Sequence, residues 1–142
     1  MTDFIVHFWH DHRAAIAVEF AFVTPVLLMM LFGIVGYGHV FGVYHGVQQI
    51  AAEAARASIA GLDDAERERL ARAFVARHAS SYPFLDPSKL TVRTTVTGAP
   101  APSFEVAVRY DFSDSAFNRL GSLVSLPLPV VERRAVVQRG GY

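Results

Sequence analysis

One acid stands at the head of a long apolar stretch. Glu19 is followed by residues 20–52, which contain no Asp, Glu, Lys or Arg. A carboxylate on an apolar helix is costly to desolvate, so it must be interfacial, neutral or paired. If interfacial, it lies near lipid headgroups. If paired, it is a docking charge that meets a terminal amine or a basic group on a neighbouring subunit. Other residues with chemical potential are few. Histidines stand at 7, 10, 12, 39, 45 and 78, and there is no cysteine. His7, His10 and His12 have the density of a metal cluster but sit in a polar N-terminal tail, and are read as that tail. Ser80-Ser81 and Ser113-Asp114-Ser115 have turn chemistry. No nucleophile–base pair, metal site or glycine-rich phosphate loop is visible, so neither catalysis nor a cofactor is expected.

Stepping out from Glu19, the element that must position it is a helix. Residues 20–38 are almost wholly apolar, and about 20 such residues cross a hydrocarbon core. A buried core helix would need more protein around it than this chain has. A cleaved signal peptide would carry a shorter apolar run behind a positive start. Arg13 before the run and Arg56 after it do not set an orientation. Pro25 falls about two turns in, where membrane helices tolerate it if neighbours satisfy the freed carbonyl. Gly38, Gly42 and Gly46 make two consecutive Gly-x-x-x-Gly steps, a face that lets another helix approach closely, or a glycine-weakened exit from the membrane. Tyr37, Phe41 and Tyr44 lie on the adjacent stripe, where an aromatic belt is expected.

The whole-chain figures hide this unevenness. The 142 residues are 52% hydrophobic, with 13 basic and 13 acidic side chains. That length excludes a large multidomain enzyme. The absence of cysteine excludes a disulfide framework, and the balanced charge argues against a nucleic-acid partner.

After Gln48 the chain is Ala-rich and continues as a good helix former, with Gly61 read as its C-cap. A helix over residues 15–60 would be about 70 Å long. Only about half of that fits a bilayer, so the remainder is expected to project as a stalk. Asp63 and Glu66 resemble a capping box. They open a second helix that ends near Ser80, with Leu70, Ala73, Phe74 and Arg77 on one face and Glu68–Arg72 as a surface pair. Beyond Pro87 the period becomes two. Leu90, Val92, Thr94 and Val96 make one strand, and Phe104, Val106, Val108, Tyr110 and Phe112 another. Residues 130–138 make a third. Residues 98–102 form a turn, and residues 115–125 are read as a short helix. The expected class is α+β: a leader over residues 1–14, a long helix over 15–60, and a domain over 61–142 with one helix on about three antiparallel strands.

Arg13-Ala-Ala-Ile-Ala-Val-Glu-Phe-Ala-Phe-Val-Thr-Pro25 with the apolar run behind it resembles the N-terminus of TadE-like proteins, pseudopilins of the tight-adherence (Flp-type) pilus. Residues 47–58 look like the family's Ala-rich continuation, so the resemblance covers roughly residues 13–60. It implies a single-pass protein of the bacterial inner membrane with a cytoplasmic N-terminus and a periplasmic domain. Its implied partners are other pilins, pseudopilins and pilus assembly proteins, with possible entry into the fibre. It also implies cutting by a prepilin peptidase between Ala14 and Ala15, which makes Glu19 the fifth mature residue, followed by Phe20. The chain departs from the pattern at the cut, with Ala14 where the family usually has Gly. Cleavage would move the formal net charge from 0 to +1, because Asp3, Asp11 and Arg13 leave. The competing expectation is a single-pass membrane receptor or scaffold with a ligand- or protein-binding extracytoplasmic domain.

Overall fold

The computed structural model describes residues 12–98, 102–113 and 130–138. Its first element, α1 (His12–Ser58), runs 47 residues without interruption and carries Pro25 inside it. Proline has no N–H to give to the carbonyl four residues back. The preceding residue makes a local bond of its own, Thr24 Oγ1 to the Phe20 carbonyl at 2.6 Å. The chain divides at Tyr37/Gly38, inside α1, into two units.

In the first unit the described large apolar side chains of the helix are exposed. Phe20, Phe22, Met29, Phe32 and Ile34 are each more than 60% exposed. The apolar window of α1 has a mean hydropathy of 2.2 and none of it is buried. By length and composition α1 is a candidate membrane helix.

The second unit is an α+β domain. It holds the C-terminal part of α1, a second helix α2 (Asp64–His78), and the strands β1 (Leu90–Thr97), β2 (Ser103–Asp111) and β3 (Val130–Gln138). The strands form one antiparallel sheet in the order β1-β2-β3. Val92 pairs with Val108 and Val108 with Arg133; Val96 pairs with Phe104 and Phe104 with Val137. This register puts the alternate residues Phe104, Val106, Val108 and Tyr110 on one face, all buried. The opposite face is polar, with Arg134 bridging Glu105 at 3.5 Å and Glu132 at 2.8 Å. One apolar and one solvated face is what a half-covered antiparallel sheet requires.

Two expectations are corrected here. Residues 43–58 do not stand as a bare stalk. Val43, Val47, Ile50, Ala51, Ala54 and Ala55 are buried in one cluster with residues of the sheet and α2, as the largest helical share of the core, and Ser58 is buried as well. The buried Ser58 hydroxyl stays satisfied by donating to the Ala55 carbonyl at 2.6 Å. The innermost line of α2 is Ala71 and Val75, continued by Ala79, while Arg77 is exposed. The small side chains of this line share one buried core with the inward face of α1, and the bulkier Leu70 and Phe74 are half-buried at its margin. The Glu68–Arg72 pair forms at 2.8 Å as an exposed i,i+4 bridge, worth at most a few tenths of a kcal/mol. The expected turn at residues 98–102 falls partly, and the short helix at residues 115–125 wholly, outside the described residues, as do His7 and His10.

Between the helices, Asp63 caps α2 by accepting the Glu66 N–H at 2.7 Å, and Glu66 accepts the Leu62 N–H at 3.0 Å. The reciprocal pair is a capping box displaced by one residue. Gly61 is not a left-handed cap, since no glycine among the described residues has positive φ. It is needed because a Cβ there would lie 2.7 Å from the Arg67 backbone nitrogen and 3.0 Å from its Cα. Backbone cannot rotate away as a side chain can. Gly61→Ala is therefore expected to cost about 1–3 kcal/mol. Chemical denaturation of the full chain in detergent, followed by circular dichroism, would show a lowered midpoint; an unchanged midpoint would mean the loop yields freely.

Candidate functional site

The candidate site is the surface of α1, and its residues fall into two groups. Toward the N-terminus, Ala14 lies within the helix, and Ala15, Glu19 and Phe20 are all on it, the last three exposed. Glu19 has no hydrogen bond or ion pair among the described residues. A helical turn places Ile16, Phe22 and Val23 beside Glu19 at the i−3, i+3 and i+4 positions, all exposed, so the acid is embedded in exposed apolar surface. A carboxylate in that setting can act on a partner's cation.

The glycines divide. A Cβ added at Gly38 would meet nothing within 4 Å. At Gly42 it would come 2.7 Å from Cδ2 of Phe84, and at Gly46 3.1 Å from Cγ of Leu85. The close approach that Gly-x-x-x-Gly permits is thus taken, at positions 42 and 46, by the chain's own turn at Phe84 and Leu85. The aromatic stripe divides as well. Tyr37 and Phe41 are about 60% exposed. Tyr44 is half-buried under the Arg133 guanidinium, 4.5 Å from its ring centroid. A desolvated cation over an aromatic face attracts it by about 0.5–2 kcal/mol.

Sequence reading passed over both Phe84 and Arg133. Arg133 could have been found, since it falls in the inward register of β3 between Val131 and Ala135. Phe84 could not. It holds φ at 69°, a left-handed conformation that bulky residues avoid, and nothing in Tyr82-Pro83-Phe84 announces it.

The turn is tethered. The Tyr82 hydroxyl donates to Glu53 Oε2 at 2.9 Å, and Gln49 Nε2 donates to Glu53 Oε1 at 3.1 Å. Burial, followed by the hydrogen bond and the negative charge of Glu53, pushes the Tyr82 phenol up to about 12. Further along, the Leu85 N–H donates to the Tyr82 carbonyl at 3.3 Å. Asp86 caps the short 3₁₀ turn Pro87–Lys89 through the Ser88 N–H at 3.0 Å, and the two bonds from Ser88 hold the Asp86 carboxyl below its usual range. A hydrogen-bonded strap therefore crosses α1 where its glycines stand.

Compared with known families, residues 14–56 match the family described as TadE-like protein. The matched segment lies wholly inside α1 and leaves α2 and the sheet outside it. No curated protein and no solved structure matches the chain.

The tether makes stability depend on pH in a stated direction. The unfolded tyrosine loses its proton near 10.0 and the folded one near 12. The contribution is whole below pH 10 and disappears as pH rises through 12, because the unfolded chain deprotonates first. Over that window the full-length protein should lose stability more steeply than a Tyr82→Phe variant in equilibrium denaturation. Equal slopes would show that Glu53 does not hold the phenol.

Proposed function

With a TadE-like segment over residues 14–56 as premise, we propose that the protein is a minor pseudopilin of the tight-adherence pilus machinery, acting in the initiation or biogenesis of the fibre. The observation that carries this is the coincidence of the matched segment with one continuous helix whose apolar side chains up to Tyr37 are uncovered. In this reading α1 anchors the chain in the inner membrane, with its N-terminus in the cytoplasm and the α+β domain in the periplasm. The protein catalyses nothing; its work is helix–helix docking with other pilins, pseudopilins and assembly proteins.

The physical role of Glu19 follows. A lone carboxylate entering a bundle of packed helices carries a desolvation cost that a paired amine offsets. A prepilin peptidase cutting after Ala14 would create that amine at Ala15, and a neighbour's Ala15 would then neutralise Glu19 and set the axial register. Phe20, exposed beside it, would pack against the same neighbour. Gly38, with open space where a Cβ would stand, remains available for close approach by another helix.

A second reading has one observation behind it. A surface groove of about 320 Å³ lies between α2 and β1, lined among others by Arg72, Val75, Ala79, Pro87 and Leu90. A receptor or scaffold would use it for a ligand. The groove is shallow and its one charged wall is engaged, since Arg72 Nη1 donates to the Val92 carbonyl at 2.9 Å. That favours the docking helix as the working part.

Mass spectrometry of the protein recovered from membranes should show loss of residues 1–14; an intact N-terminus would remove the processing step. Replacing Glu19 by Ala should leave membrane insertion unchanged and reduce piliation counted by electron microscopy. Normal piliation in that variant would end the docking role.

A further inference from the structure

The strained, exposed Phe84 has no role in the docking just described. Its φ of 69° is a left-handed conformation that a bulky residue adopts only under strain, yet the ring is 57% exposed. Strain that only buried a ring would be understandable. Here it holds an apolar ring at the surface. The ring is fixed there by α1: it packs over Gly42 and stands edge-on to His39, with centroids 5.4 Å apart and planes at 89°. His39 in turn faces Phe112 at 6.5 Å, and Phe112 faces Tyr110 at 4.9 Å. On the same stretch of helix Phe41 is 63% exposed and meets His45 edge-on, with centroids 4.3 Å apart and planes at 60°.

The position along α1 says what lies outside these rings. Residues 20–38 rise about 28 Å, which fills a hydrocarbon core of about 30 Å. Gly42 is four residues further, about 6 Å by helical rise. The polar headgroup layer on each side is about 5–8 Å deep. No charged side chain occurs between Glu19 and Glu53, so nothing in the sequence draws this stretch away from lipid. Amphipathic and aromatic rings are favoured in that layer.

We propose that Phe84 and Phe41 form a lipid-interface contact that seats the α+β domain on the bilayer surface, with the headgroup–acyl boundary of the membrane as the partner. The inference rests on residues 20–38 being the membrane span. The Tyr82–Leu85 strap then has a purpose beyond covering the glycines: it presents one ring to lipid at a fixed depth. The domain is thereby held against the membrane.

The test uses the full-length chain in vesicles of phosphatidylethanolamine and phosphatidylglycerol, with the single native tryptophan removed as Trp9→Phe. Phe84→Trp should give blue-shifted emission, quenched most strongly by lipids brominated near the headgroup end of the acyl chain. Phe32→Trp, within the span, should be quenched by deeply brominated lipids. Water-like emission from Phe84→Trp beside a quenched Phe32→Trp would overturn the contact and leave the span standing. Loss of quenching in both would overturn both. If Phe84→Trp disturbs the strained turn, Phe41→Trp decides: shallow quenching supports the contact, and water-like emission overturns it.

Discussion

α1 changes solvent along its length. Up to Tyr37 its described apolar side chains are exposed, and from Val43 its inward face is fully buried by protein. One continuous helix must therefore satisfy two environments with a single backbone. A lipid-facing helix needs apolar side chains all round, whereas a helix in a small α+β domain needs one small-residue face for close packing and a polar face for water. The composition changes to match. Leu, Met and Phe are frequent before Gly38, and Ala and Gln take over after Gly46. The rest of the domain depends on that second part, because a three-stranded sheet and a 15-residue helix do not close a core without it.

The strands were legible because burial follows the pleat. Residues 104, 106, 108 and 110 alternate with Glu105, Ala107, Arg109 and Asp111, and the register observed is the one that keeps the bulky apolar set together on one face. The start of α2 was legible too, since Asp63 and Glu66 carry their chemistry in their side chains. The expected leader at residues 1–14 lies mostly outside the described residues.

What was not legible shares a physical character. Glycine tells that space is needed and not who occupies it. Gly42 and Gly46 read as a seat for a second helix, and two of their neighbours are residues of the same chain some forty positions away. Gly61 read as a conformational cap and is instead a contact with the Arg67 backbone. The stalk expectation failed similarly, because an Ala-rich helix looks alike whether it faces water or packs tightly. The matched family segment stops within α1, so similarity offered no help in placing the sheet against it.

The Arg72 bond to Val92 has a further consequence. β1 lies at the edge of the sheet, and an edge strand offers its backbone to any passing strand. Molecules tethered to one membrane by equivalent helices share a plane and an orientation, so their edges meet far more often than in free solution. A guanidinium fixed on the Val92 carbonyl, with Arg93 exposed beside it, occupies one acceptor and adds charge along that edge. Under the proposed membrane anchoring, that charge works against edge-to-edge pairing between the sheets of neighbouring copies.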